Sequence, residues 1–160
     1  MVSIFQLGQE KPTAADRLDA AYADCEMIAR NASSSFFRSF RHLPPHKRKA
    51  VNSLYAFCRR VDDIVDGDWL PEQDLSHLNQ KAESRSMQLS IDKQSEPAND
   101  DINHINKLRS LLWFRINLDK IEQGEFVDES IFIALSDVIK KFPLELDHLR
   151  ELISGMEDDL

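Results

Sequence analysis

Between Pro44-Pro45 and Gly67 runs HKRKAVNSLYAFCRRVDDIVD, a stretch with no glycine or proline in which apolar residues recur at helical spacing. Few segments restrict a chain more. The two prolines remove backbone donors and push the preceding residue out of the helical region, and Pro45 can occupy a first helical turn. Gly67 suits a left-handed helix terminus. The sequence therefore predicts a long helix from about residue 45 to Asp66.

The rest of the chain repeats the pattern. Thr13 and Asp16 resemble a capping box, after which Leu18, Ala21, Tyr22, Cys25, Ile28, Ala29, Ala32 and Phe36 recur at helical spacing, predicting one helix from residue 14 that fails before HLPPHK. A weaker amphipathic segment spans Leu75 to about Ile91. Stronger ones run from Ile102 to Gln123, from Glu129 to Lys141, and from Leu146 onward. Residues 1–13 read as flexible and 94–101, around SEPANDD, as a loop. Strand formers and breakers are scarce, with six Val, one Thr, four Gly and six Pro in 160 residues. The expected fold is one all-α domain over 1–160.

Charge then becomes informative. On a helical wheel, Ala50, Val51, Leu54, Phe57, Cys58, Val61, Ile64 and Val65 form an apolar arc. Tyr55, Arg59, Asp62 and Asp66 form a stripe along one edge of it, and Asp63, Arg60 and Ser53 fall on the opposite, solvent side. Asp62 and Asp66 are an i, i+4 pair with Cβ atoms about 5–6 Å apart, close enough to share a hard cation. His46, Lys47, Arg48 and Lys49 crowd the start of this helix and the aspartates its end. That order opposes the helix macrodipole at about 0.3–1 kcal/mol per exposed charge. Such an arrangement points to use rather than stability. With no His or Cys at ligand spacing, the pair suits Mg²⁺ shared with substrate phosphates.

Other classes fall away. A net charge of −8 argues against a nucleic-acid partner. Cys25 and Cys58 sit at apolar positions, which makes them core residues rather than a disulfide or zinc framework. EF-hand spacing, a P-loop and GxGxxG are absent. No signal peptide or membrane-spanning stretch is recognisable, so the expectation is a cytoplasmic protein able to touch a membrane surface.

Ser33-Ser34-Ser35-Phe36-Phe37, Leu43-Pro44, Arg48-Lys49-Ala50-Val51 and LYAFCRRVDDIVDG together resemble the squalene and phytoene synthase family of head-to-head prenyl transferases. Weaker similarity continues through Leu112-Trp113, the Lys120–Gly124 turn and GMEDDL at the end. The resemblance implies an all-α isoprenoid synthase-type bundle. In it, two prenyl diphosphates, farnesyl or geranylgeranyl, join through a cyclopropyl intermediate with Mg²⁺ assisting loss of diphosphate. NADPH is expected only if the product is squalene. By the same matching, Asp62 and Asp66 are the first aspartate-rich motif and the metal ligands. Arg59 contacts diphosphate, Ser33 and Ser35 lie near the phosphate end, and Phe36, Phe40 and Tyr55 line the prenyl cavity. Core packing accounts for Phe36 and Phe40 equally well, and capping or back-bonding for the serines.

One departure matters. The family carries a second aspartate-rich motif on a later helix, and this sequence holds none. The expectation is an amino-terminal half of the domain, inactive alone, whose open apolar face drives self-association. The rival reading is a non-catalytic helical protein of the same fold that binds isoprenoid or assembles with a partner.

Overall fold

A computed structural model describes residues 11–32, 34–90 and 100–160. Its elements are α1 (Ala14–Ala32), α2 (Ser34–Phe40), α3 (Pro45–Asp66), α4 (Asn79–Ser90) after one 3₁₀ turn, α5 (Asp100–Glu122), α6 (Ser130–Lys141) and α7 (Leu146–Asp158). No strand occurs among the described residues. The expected all-α architecture is present.

Local signals account for most boundaries. The Thr13 backbone N–H donates to the Asp16 carboxylate at 2.9 Å, and the Asp16 N–H donates to the Thr13 hydroxyl at 3.1 Å, closing the capping box that starts α1. Pro45 opens α3 and Gly67, at φ 85°, ends it. Glu129 caps α6 by accepting from the N–H groups of Ile131 and Phe132, so it stands just outside the helix it was expected to begin. Residues 100–101, expected in a loop, belong to α5. The rest of that loop, like residues 1–10, lies outside the described residues.

The helix expected from residue 14 to HLPPHK is instead two, α1 and α2. Serine side chains compete for backbone partners and weaken a helix locally, but packing decides the break. Asp19 of α1 meets Lys49 of α3 at 3.5 Å, while Ile28 and Asn31 share a cleft with Arg59 and Asp63. The two helices therefore run parallel, and the chain must double back between them. Helix α2 is that return.

The core gathers where α1, α3, α5, α6 and α7 meet. Phe57, Phe114 and Phe132 are fully buried and meet edge to face, with centroids 5.2–6.3 Å apart, and Trp69 and Trp113 pack around Phe114. Cys25 is wholly buried among them and Cys58 half-buried, both as free thiols.

Candidate functional site

Helix α3 has two unlike faces, and they are not the ones the wheel indicates. Its buried residues are Ala50, Asn52, Ser53, Ala56, Phe57, Val61, Asp63 and Ile64. Val51, Leu54, Tyr55, Cys58, Arg59, Asp62 and Val65 are half-buried and Asp66 is exposed. At about 100° per residue the core direction is rotated by roughly a quarter turn from the centre of the apolar arc. Small side chains explain the shift: Ala50, Ser53 and Ala56 let α1 and α6 approach closely, and the Ser53 hydroxyl is satisfied by the Lys49 carbonyl at 2.8 Å. Hydrophobicity alone missed this, because the branched residues Val51, Leu54 and Val65 belong to the less covered face.

That half-open face carries most of the expected site. Phe36 and Phe40 of α2 stand against Tyr55 with centroids 6.2 and 6.1 Å away, and 6.4 Å from each other, forming an aromatic wall. Phe36 is 60% exposed. Ser35 is exposed on the same short helix. Ser33 lies outside the described residues. One turn along α3 from Tyr55 comes Arg59, then Asp62 and Asp66. Burial pushes the Asp62 carboxyl above the usual carboxylate range; Arg59 draws it down, while Asp66 and Asp63 add to the rise. An acid held uphill beside two others gains from a bound cation. No group of three His, Cys, Asp or Glu able to hold a metal occurs among the described residues. The pair can thus supply part of a coordination sphere, which fits Mg²⁺ that keeps waters and phosphate oxygens.

Asp63 requires a correction. Expected on the solvent side, it is 6% exposed and accepts from both arginines, Arg59 at 2.7 Å and Arg60 at 3.1 Å. Its backbone carbonyl accepts the N–H groups of Asp68 and Trp69, and Arg60 lies 4.9 Å over the Trp69 ring. Arg59, Arg60, Asp63 and Trp69, with Asp24, Ile28, Asn31 and Glu129, line a cleft of about 460 Å³ between α1 and α3, so the Arg59 guanidinium turns from the Asp62/Asp66 stripe toward Asp63. Arginines three and four residues before an acid were visible in the sequence as helix-spaced pairs. What they could not reveal was that the acid faces inward. The adverse dipole is also answered from elsewhere: Lys107 of α5 donates to the Val65 carbonyl at 2.6 Å, placing a cation at the carboxyl end of α3.

Glu157 of α7 is 3% exposed and held by Arg85 and Arg115 at 2.8 and 3.1 Å, which ties α4, α5 and α7 together. This uses one acid of the GMEDDL segment structurally. No helix among the described residues is long and apolar enough to cross a membrane.

Comparison with known proteins places these features in context. The family model described as squalene/phytoene synthase matches residues 29–160. Phytoene synthase of Mycobacterium tuberculosis is 28% identical over 138 residues, covering 86% of this chain and 34% of that protein. Phytoene synthase 3, chloroplastic, of Zea mays is 26% identical over 89% of this chain and 26% of its own length. For the 15-cis-phytoene synthase of Synechocystis the values are 24%, 98% and 37%. The chain spans about a third of the length of these relatives. No solved structure matches it.

Proposed function

Because this chain belongs to the squalene/phytoene synthase family, we propose that the half-open face of α3 is the first diphosphate-binding wall of a head-to-head prenyl transferase. The observation that carries this reading is the order of groups on that face. An aromatic wall of Phe36, Phe40 and Tyr55 gives way, one turn on, to Arg59 and then to the Asp62/Asp66 pair. A prenyl diphosphate has the same order, apolar tail then polyanionic head.

Each group has a distinct task. Asp62 and Asp66 would hold Mg²⁺, which when bound supplies positive charge against the departing diphosphate. Arg59 brings a permanent guanidinium suited to phosphate oxygens, which Asp63 holds at 2.7 Å. Ser35 of α2 is assigned a hydroxyl contact at the phosphate end, and Ser33 the same role from the family resemblance alone. Phe36, Phe40 and Tyr55 exclude water from the tail. The substrate is farnesyl or geranylgeranyl diphosphate, with NADPH required only for a squalene product.

One carboxylate pair anchors part of such a clamp. The 160-residue chain alone therefore binds the Mg²⁺–diphosphate head weakly and does not condense it. That single pair also favours the second reading, an isoprenoid-binding protein of the same fold without turnover.

Calorimetry with Mg²⁺ and inorganic pyrophosphate, alongside product analysis from radiolabelled farnesyl and geranylgeranyl diphosphates, tests the proposal. Expected are Mg²⁺-dependent pyrophosphate binding that Asp62→Asn and Asp66→Asn each abolish, no product from the chain alone, and product when it is fused ahead of the remainder of the mycobacterial phytoene synthase. Pyrophosphate binding indifferent to Mg²⁺ or to both variants would overturn the site. Intact binding with an inactive fusion would select the non-catalytic reading.

A further inference from the structure

Two guanidiniums share one buried carboxylate at the cleft between α1 and α3. Arg59 meets Asp63 Oδ1 at 2.7 Å and Arg60 meets Asp63 Oδ2 at 3.1 Å. Each carboxylate oxygen thus has its own cation, and the trio carries one positive charge in excess. The two arginines are not equivalent. Arg60 also lies 4.9 Å over the Trp69 ring, and its charge is among the groups that draw down the Glu129 carboxyl, which burial raises. The Arg59 side chain is the more exposed, at 36% against 26%, and Asp63 is the one acid it pairs with among the described residues.

Arg59 stands between two acids. Asp62 follows it by three residues and Asp63 by four, so both are its neighbours on the helix surface, one to either side. Its charge draws the Asp62 carboxyl down against the burial that raises it, which keeps that acid within its influence. The guanidinium itself is turned to Asp63 and lines the cleft, as neither Asp62 nor Asp66 does. A diphosphate held at Asp62 and Asp66 therefore meets a site whose nearest guanidinium is turned away.

We propose that Asp63 is a positioning residue that holds the Arg59 guanidinium out of the diphosphate site until ligand draws it across, and that Arg60, by staying on Asp63, lets Arg59 leave without stranding a buried charge. The inference rests on the proposed reading of the Asp62/Asp66 face and adds to it an acid that never touches the ligand. A buried acid that loses its only partner is left uncompensated. With Arg60 fixed in place, Asp63 keeps a partner in either position of Arg59. Phosphate oxygens accept the same fork of donors as a carboxylate, so ligand and Asp63 compete for one side chain.

Calorimetry of the 160-residue chain with Mg²⁺ and inorganic pyrophosphate tests the exchange. Asp63→Asn should tighten binding about fivefold and Arg60→Gln should weaken it about fivefold, although both substitutions lower the denaturation midpoint. A purely structural role would weaken binding in both. Arg59→Gln should weaken binding, and adding Asp63→Asn or Arg60→Gln to it should change nothing further. A general effect of net charge would persist in that background, so the double variants separate the two explanations. Nitrogen-15 spectra of the arginine side chains read the movement directly: with Mg²⁺ and pyrophosphate the Arg59 Nε signal should shift while that of Arg60 stays. Circular dichroism confirms that each variant folds. Binding that Asp63→Asn weakens or leaves unchanged, single-variant effects that survive the loss of Arg59, or an unmoved Arg59 signal would each overturn the exchange. Binding indifferent to Asp62→Asn would instead overturn the proposed site, whereas Asp62-dependent binding that ignores Asp63 and Arg60 would overturn this inference alone.

Discussion

The two faces of α3 carry the same kinds of residue and put them to opposite uses. On the covered face, small side chains bring α1 and α6 close, Phe57 fills the core, and the one acid, Asp63, is shared by two arginines. On the half-open face, branched apolar residues remain partly accessible, and neither Asp62 nor Asp66 forms an ion pair among the described residues. An acid with its charge matched inside the fold is structural. One held at raised free energy beside other acids is available to a ligand.

The largest test of this division compares two neighbouring apolar residues. Phe57→Ala should destabilise the protein by about 3–5 kcal/mol, whereas Leu54→Ala on the half-open face should cost less than about 1 kcal/mol. Chemical denaturation of both variants decides it; equal losses would erase the distinction between the faces.

Asp63→Asn comes next. Losing a buried carboxylate that serves two partly exposed guanidiniums should cost about 1–3 kcal/mol, read as a lower midpoint in the same denaturation experiment. A silent substitution would return Asp63 to the solvent side.

Asp62→Asn should act in the other direction. Removing one charge of an i, i+4 like pair returns about 0.2–0.5 kcal/mol, seen as a slightly raised melting temperature at neutral pH. The pH dependence follows from the direction of the shift. With the folded-state pKa raised, the folded protein holds the proton more tightly than the unfolded one, so Asp62 destabilises above its folded pKa. That penalty is relieved as pH falls through it. The gain from Asp62→Asn should therefore shrink on acidification within that range.

The smallest effect uses the cysteines as reporters. Burial pushes the Cys25 thiol up to about 12, and raises that of half-buried Cys58, to which Asp62 adds. An aromatic disulfide reagent should modify Cys58 in the native protein and Cys25 only on unfolding, with Cys58 reacting faster in Asp62→Asn. Native modification of Cys25 at an equal rate would contradict the packing of α1 on α3.

Much of this protein was determined by sequence alone. Helix existence and most boundaries follow from local physics: the Thr13–Asp16 box, Pro45 in a first turn, Gly67 at positive φ and the 3.6-residue apolar period each act within a few residues. That Tyr55, Asp62 and Asp66 share one edge of α3 was legible for the same reason, because a helix converts spacing into a stripe, whereas the pairing of Arg59 with Asp63 was not. Three things waited on the tertiary structure. The break between α1 and α2 depends on α3 lying parallel to α1. The inward turn of Asp63 depends on small residues setting how close two helices approach. The cation at the end of α3 comes from Lys107, 42 residues away in sequence. A periodicity reports how apolar each direction around a helix is, but which direction faces the core is settled by how tightly neighbours can pack there, and that is a property of surfaces in contact rather than of one segment.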